Sequence, residues 1–420
     1  MADQLAVWLY DTQVALVDQL RGRLHLSYTE QALTRYGLGV PLLSLSLPVR
    51  PERYAHGVVR SFLDGLLPEG ESRQVIANAL KLANEDTYGL IAALGRDCAG
   101  AIVIQPAEDP HPPTATTATA PLLSDSELEA LVHNLRSAPL GIGGAVRISL
   151  AGVQEKLVLT RRPDGRWGRP IEGTPSTHIL KPEIDRFPKT VENEFFCMRL
   201  ARHLGLRVPE VAMTTIGERR LIVVERYDRL VHTDGSVERI HQEDFCQATG
   251  VPPEKKYEQD GGPSLRKIAE ILQSAAAAGS LDDFLRAVTL SAVVGNGDAH
   301  AKNYSLLHES AGTLRLAPIY DMVSTMIYGD DQLAARVDEV QRIDRVTGGR
   351  LVNEATRWGM SRRHAAEIVN ELLDRVPIAV AAARDETDGL PAAVTAIVDA
   401  QLARLRTGLA VPAAHASSAS

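Results

Sequence analysis

The sequence predicts an α+β fold, and three observations carry that expectation. Short alternating apolar runs fill residues 3–48, helical spacings fill 361–409, and strand-like runs surround one helical pattern between 146 and 230. At 420 residues the chain has material for two or three domains with cores of their own. Taken in order, "LAVWLYD", "LHLSY" and "PLLSLSL" read as strands. "VVRSFLDGLLPEGESRQVIANALKLAN" reads as helices and "DCAGAIVIQP" returns to strand, so residues 1–106 make a first α+β unit. "AEDPHPPTATTATAP", residues 107–121, has the Pro/Thr/Ala composition of a linker or exposed loop. "LLSDSELEALVHNL" restarts with a Ser or Asp cap and a helical spacing. "KLVLT", "THILK" and "RRLIVVERYD" are strand-like, and "VENEFFCMRLARHLGL" is a helix that stops at Gly205. Beyond residue 240 the spacing is mainly helical, with short strands around 303–319, and "AVPAAHASSAS" reads as a frayed tail.

Composition excludes several functions. The chain is 45% hydrophobic and 23% charged, as globular proteins are, and its formal net charge of −8 argues against a general nucleic-acid or membrane-surface binder. Arg-rich runs such as "RLARHLGLR" and "SRRH" fit solvated helix faces. Cys98, Cys197 and Cys246 are far apart with no CxxC spacing, which suits a reducing compartment and no structural zinc. With no basic, apolar leader and no apolar run long enough to span a bilayer, the expectation is a cytoplasmic protein.

The chemistry concentrates in "VVGNGDAHAKNYSLL". The helix "LDDFLRAVTLSAVV" closes at Gly295 and "YSLL" reads as a strand, so the polar residues between them form a tight loop pinned by buried elements. Asp298 and Asn303 have the spacing of a protein-kinase catalytic loop, and Asp321 follows at the end of the apolar run "LAPIYD". Phosphoryl transfer needs hard oxygen ligands for Mg²⁺, a lysine clamp on phosphate oxygens and a carboxylate beside the acceptor hydroxyl. Asp298, Asn303 and Asp321 supply the oxygens, Lys181 in "THILK" supplies a clamp, and Glu194 on the following helix can pair with it. The loop alone also admits a plain turn, or an Asp-x-His pair on a transition metal. Of eight lysines, Lys156, Lys181 and Lys302 all fall in these polar groups. "RISLAGVQEKLVLT" adds a small-residue loop with Ser149, Gly152, Gln154 and Lys156 able to meet phosphates, although it is neither a Walker A nor a GxGxxG motif.

"SLAGVQEKL", "STHILKPE", "ENEFFCMRLA", "VVERYDR", "QEDFCQATG", "KYEQDGGP", "GNGDAHAKN" and "APIYD" occur in the order and spacing of HipA-type serine/threonine kinases, the toxins of HipBA toxin–antitoxin modules. The sequence resembles that family to about residue 325, upstream segments "SFLDGLLPEGESR" and "LGRDCAGAIVI" included. The resemblance implies a bilobed protein-kinase-like fold with an appended N-terminal subdomain: a nucleotide-binding N-lobe over 122–228, a helical C-lobe over 229–410 and a tail at 411–420. It implies ATP and Mg²⁺ as cofactors, Asp298 as catalytic base, and Asn303 and Asp321 as magnesium ligands. Lys181 and the loop Ala151, Gly152, Val153, Gln154, Glu155 and Lys156 would bind ATP phosphates. Glu225, Arg226 and Tyr227 would form the hinge that receives adenine, with His300, Lys302 and Tyr320 lining the nucleotide site. Ser149 matches the serine these kinases phosphorylate on themselves, which ejects the phosphate-binding loop. The expected partners are a HipB-type helix-turn-helix antitoxin, operator DNA through that antitoxin, and an aminoacyl-tRNA synthetase, chiefly glutamyl-tRNA synthetase, as substrate. Residues 326–345 do not match the family's usual Gly-containing stretch. Two other functions fit the same motifs: a catalytically minor co-repressor, and a small-molecule kinase on the same scaffold.

Overall fold

The computed structural model describes residues 4–112, 115–140, 149–152, 154–171, 173–309 and 312–409. Val153 and the tail 411–420 lie outside the described residues. The first unit consists of β1 (Gln4–Leu9), β2 (Thr12–Leu20), β3 (Arg23–Tyr28), α1 (Glu30–Tyr36), α2 (His56–Leu66), α3 (Gly70–Leu80), α4 (Thr87–Leu94) and β4 (Ile102–Pro106). Its sheet has the order β3-β2-β1-β4 with antiparallel neighbours. "PLLSLSL" departs from expectation: it is a loop, not a strand. Its alternation is real, since Leu43 and Leu47 are fully buried, but its backbone finds a side chain instead of a neighbouring strand. Leu45 N–H and the Ser44 hydroxyl donate to the Glu243 carboxylate at 3.0 and 2.6 Å.

The next layer comprises α5 (Asp125–His133), β5 (Leu157–Arg161), β6 (Trp167–Gly168), β7 (His178–Pro182), α6 (Thr190–His203), β8 (Val211–Ile216) and β9 (Arg219–Glu225). The strands pair in the order β6-β5-β7-β9-β8. One sheet face packs on Leu128 and Val132 of α5, and Ile222 and Val224 on the other pack on Val191 and Phe195 of α6. A reciprocal capping box between Ser124 and Glu127 starts α5, as the sequence predicts. Among the described residues of 107–121, part of the loop is docked. Thr117 is fully buried and donates through its N–H to Gly235 O at 2.8 Å, and Val237 N–H donates to Ala115 O at 2.9 Å. The segment is a strap, because its backbone groups find partners on another element.

The remaining part holds β10 (Arg229–Val231), β11 (Val237–Arg239), β12 (His241–Asp244), α7 (Phe245–Thr249), α8 (Leu265–Ala275), α9 (Ser280–Val294), β13 (Ser305–His308), β14 (Leu314–Leu316), β15 (Gln332–Val337), β16 (Val340–Arg342), α10 (Gly348–Arg357), α11 (Arg362–Asp385) and α12 (Ala392–Leu405). Its core gathers Phe284, Leu285, Leu290 and Val293 of α9 with Phe196, Leu351, Val369 and Val398 from four other helices. The β15–β16 hairpin is absent from the sequence reading. It turns on Asp338 and Glu339, both at positive φ (48° and 64°), where Asn-Gly would have signalled a turn. The Asp338 carboxylate is held there by Arg350 and Arg357 at 3.2 and 3.0 Å. No helix among the described residues is long and apolar enough to cross a membrane.

Candidate active site

The loop after α9 is shaped by its own polar groups. Gly295 ends the helix at φ 69°, and a Cβ on Gly297 would stand 2.2 Å from Gln332 O, so a crossing backbone segment demands glycine there. Asp298 N–H donates to the Asn296 side-chain oxygen at 2.9 Å, and Asp298 O accepts from His300 N–H and Asn303 Nδ2 at 2.8 and 2.9 Å. Gly297 N–H donates to Thr325 Oγ1 at 2.8 Å, which ties the loop to the segment after Asp321. The sequence reading of a tight loop between two buried elements holds.

Lys181, from strand β7, bridges two carboxylates. Its Nζ lies 2.8 Å from Glu194 Oε1 on α6 and 2.6 Å from Asp321 Oδ1. Burial opposes the lysine's charge, but the two carboxylates hold its pKa above the ordinary value. Lys181 in turn draws Asp321 down to about 2. Asp321 sits at φ 56°, strained for a non-glycine residue, and its side chain stays 45% exposed, so the carboxylate faces open space while anchored at one oxygen. The motif search missed the residue that squares this corner. Asn193, fully buried beside Glu194, donates through Nδ2 to Ser324 O at 2.9 Å and accepts from Ser324 N–H at 3.0 Å. It clamps α6 to the segment behind Asp321. Only its place beside Glu194 could have marked it.

The phosphate-loop candidates lie along the same cleft. Gly152, at φ 112°, is bridged to Pro68, and its carbonyl accepts from Glu69 N–H at 3.2 Å. Lys156 Nζ folds back onto Ala151 O at 2.6 Å, and burial together with nearby Lys181 lowers its pKa to about 8. Gln154 donates to Pro182 O at 3.4 Å, and Glu155 is half-buried. Ser149 is not an exposed turn residue: it is fully buried, with its hydroxyl donating to Leu66 O at 2.7 Å and its N–H to Asp97 O at 3.0 Å.

The hinge candidates divide. Glu225 ends β9 opposite His178 and is half-buried. Tyr227 and Tyr320 lie with ring centroids 5.5 Å apart; Tyr227 donates to Gln242, and Tyr320 donates to Lys302 O at 2.7 Å. Arg226 turns its guanidinium inward to Asp228, Ser176 and Cys98 O at 2.8, 2.7 and 2.9 Å, so at this hinge position it is the backbone that remains to meet an adenine. Lys302 has its ammonium buried against Asp244 at 2.6 Å and Gly65 O at 3.2 Å, so it braces the first unit. His300 is buried with Nδ1 lacking a hydrogen-bond partner among the described residues, and burial and Lys256 push its pKa down to about 3, so it stays neutral.

Asn303 and Asp321 line one small cavity with Tyr320 and Asn296. With Asn303 Nδ2 given to Asp298 O, its amide oxygen remains to coordinate, and an all-oxygen set of carboxylate and amide suits Mg²⁺. A transition metal finds less: no group of three His, Cys, Asp or Glu able to hold a metal occurs among the described residues. Asp298, half-buried and raised in pKa chiefly by desolvation, offers Oδ1 to the Tyr257 hydroxyl at 2.6 Å.

A strand lysine between a helix carboxylate and an Asp after β14, facing an Asp/Asn loop from a helical lobe, defines a two-lobed, kinase-like fold. The family models for the HipA N-terminal domain and the HipA-like C-terminal domain match residues 5–105 and 148–380, and the chain belongs to the HipA family. It is 39% identical to the putative kinase Y4mE of Sinorhizobium fredii over 83% of this chain and 84% of that one. It is 32% identical to the serine/threonine-protein kinase toxin HipA of Shewanella oneidensis over 77% and 76%. The solved Shewanella oneidensis HipA, in complex with HipB and operator DNA, superposes with a TM-score of 0.81 over 96% of this chain and 95% of that one, at 26% identity.

Proposed function

We propose that this protein is an ATP- and Mg²⁺-dependent serine/threonine protein kinase and the toxin of a type II toxin–antitoxin module. The observation that carries the reading is Lys181 held between Glu194 and Asp321 beside the Asp298–Asn303 loop. Lys181 and the Ala151–Lys156 loop hold the phosphates, and Lys156 must release Ala151 O to reach them. Asn303 and Asp321 would hold Mg²⁺, whose bound charge would offset that of the phosphates. Asp298 orients the acceptor hydroxyl through Oδ2 and takes its proton. Neutral His300 and the Tyr227–Tyr320 pair line the cleft without adding charge.

By likeness to the Shewanella complex, the partner is a HipB-type helix-turn-helix antitoxin that carries the kinase to operator DNA. The acceptor is an aminoacyl-tRNA synthetase, glutamyl-tRNA synthetase first, and transfer to it would stop translation in the cytoplasm. Ser149 is the self-phosphorylation site. A phosphate cannot occupy its buried position, so modification requires the 149–156 loop to leave. Incubation with radiolabelled ATP and Mg²⁺ should label the chain itself and glutamyl-tRNA synthetase. Protein that binds Mg-ATP yet labels neither itself nor a protein acceptor would overturn the kinase; transfer to a metabolite alone would favour a small-molecule kinase. Ser149→Ala should abolish self-labelling and raise growth inhibition on expression; unchanged labelling shows that Ser149 is structural.

A further inference from the structure

Two motifs remain without a role in this reading, "LLPEGES" and "KYEQDGG", and the fold brings them together at the catalytic loop. Glu69 precedes α3, and its N–H holds Gly152 of the phosphate loop at 3.2 Å. Its carboxylate accepts from Lys256 Nζ at 3.0 Å and lies 3.9 Å from Lys302 Nζ. Lys256 O accepts from Ala301 N–H at 3.3 Å, inside the catalytic loop. Next in sequence, the Tyr257 hydroxyl donates to Asp298 Oδ1, and its ring stands edge-on to His300 with centroids 5.3 Å apart. The segment is rigid: Gly262 N–H donates to Tyr257 O at 2.9 Å, and a Cβ on Gly262 would meet Lys255 O at 2.2 Å.

We propose that Tyr257 is a positioning residue for phosphoryl transfer, and that Glu69 is the anchor by which the first unit holds it in place. A carboxylate turns about its last torsion in a broad, nearly two-fold well. One strong hydrogen bond to Oδ1 fixes that rotation and presents Oδ2 to an acceptor hydroxyl. Transfer rates fall steeply when a reacting group is misplaced by about an ångström. The first unit is therefore part of the catalytic apparatus and not an appended module. Through Glu69 it touches the phosphate loop by its backbone and the catalytic loop by its side chain.

The inference rests on Asp298 acting on the acceptor hydroxyl. The test is the single-turnover rate of phosphate transfer from radiolabelled ATP to protein acceptors, the chain itself included, with affinity measured separately by titration with a fluorescent ATP analogue. Tyr257→Phe keeps the ring and removes only the hydroxyl. It should slow transfer on the order of tenfold or more, with nucleotide affinity within about twofold of wild type and the melting temperature unmoved. Glu69→Gln, which keeps size and loses charge, should give a smaller loss with the same split. Transfer at the wild-type rate in Tyr257→Phe overturns the inference while leaving the kinase standing. Equal losses of rate and affinity also overturn it, since they mark a structural role. Wild-type protein that binds the analogue but transfers nothing removes the kinase reading and this inference with it.

Discussion

Two charge clusters built from distant parts of the chain behave oppositely. At the junction of the first unit with β9 and β10, Asp97 and Asp228 face Arg226, Arg229 and Arg239, and all four carboxylate oxygens are held. At the cleft, Asp321 is anchored at one oxygen, while Glu69 Oε1 and His300 Nδ1 are buried without hydrogen-bond partners among the described residues. The first cluster pairs both of its carboxylates within the protein and serves the fold. The second keeps polar groups open and strained, as a site awaiting a charged ligand does.

Three experiments would break or sharpen this contrast. The largest effect is expected from Asp298→Asn, which should reduce transfer by at least about 100-fold while nucleotide binding stays near wild type. Because burial raises the Asp298 pKa, its charge is unfavourable in the fold, so the variant should be no less stable; a clear drop in melting temperature would show that the cleft also supports the fold. Asp97→Ala should do the reverse. It leaves three buried guanidinium groups undercompensated and should cost about 3–5 kcal/mol by denaturant titration. Loss of activity without loss of stability there would erase the distinction. The smallest effect is protonic. Lys156, lowered to about 8 by burial and Lys181, is partly neutral near pH 8, and bound polyphosphate favours its charged form. Calorimetry of ATP binding at pH 8 in buffers of different ionisation enthalpy should show uptake of a fraction of a proton, lost in Lys156→Gln.

The same contrast explains what was legible in the sequence. Asp298, Asn303, Asp321, Lys181 and Glu194, which the fold gathers at one cleft, could be singled out because the phosphoryl transfer proposed for them dictates residue type and order. Arg226 and Lys302 stand in the same motifs, yet which way a cation turns depends on partners such as Asp97 and Asp244 far along the chain. Asn193 and Tyr257 act through hydrogen bonds to distant segments that no spacing rule encodes. The elements were readable wherever apolar period decided them. They were lost where a side chain replaced a strand partner, as Glu243 does for "PLLSLSL", or where Asp-Glu makes a turn normally made by Asn-Gly.

The core of the first unit also includes Leu140, Leu150 and Val158, which lie beyond the strap in sequence. A gene cut within the strap would therefore not yield two independent proteins. Each half would expose apolar surface that the other covers in the intact chain.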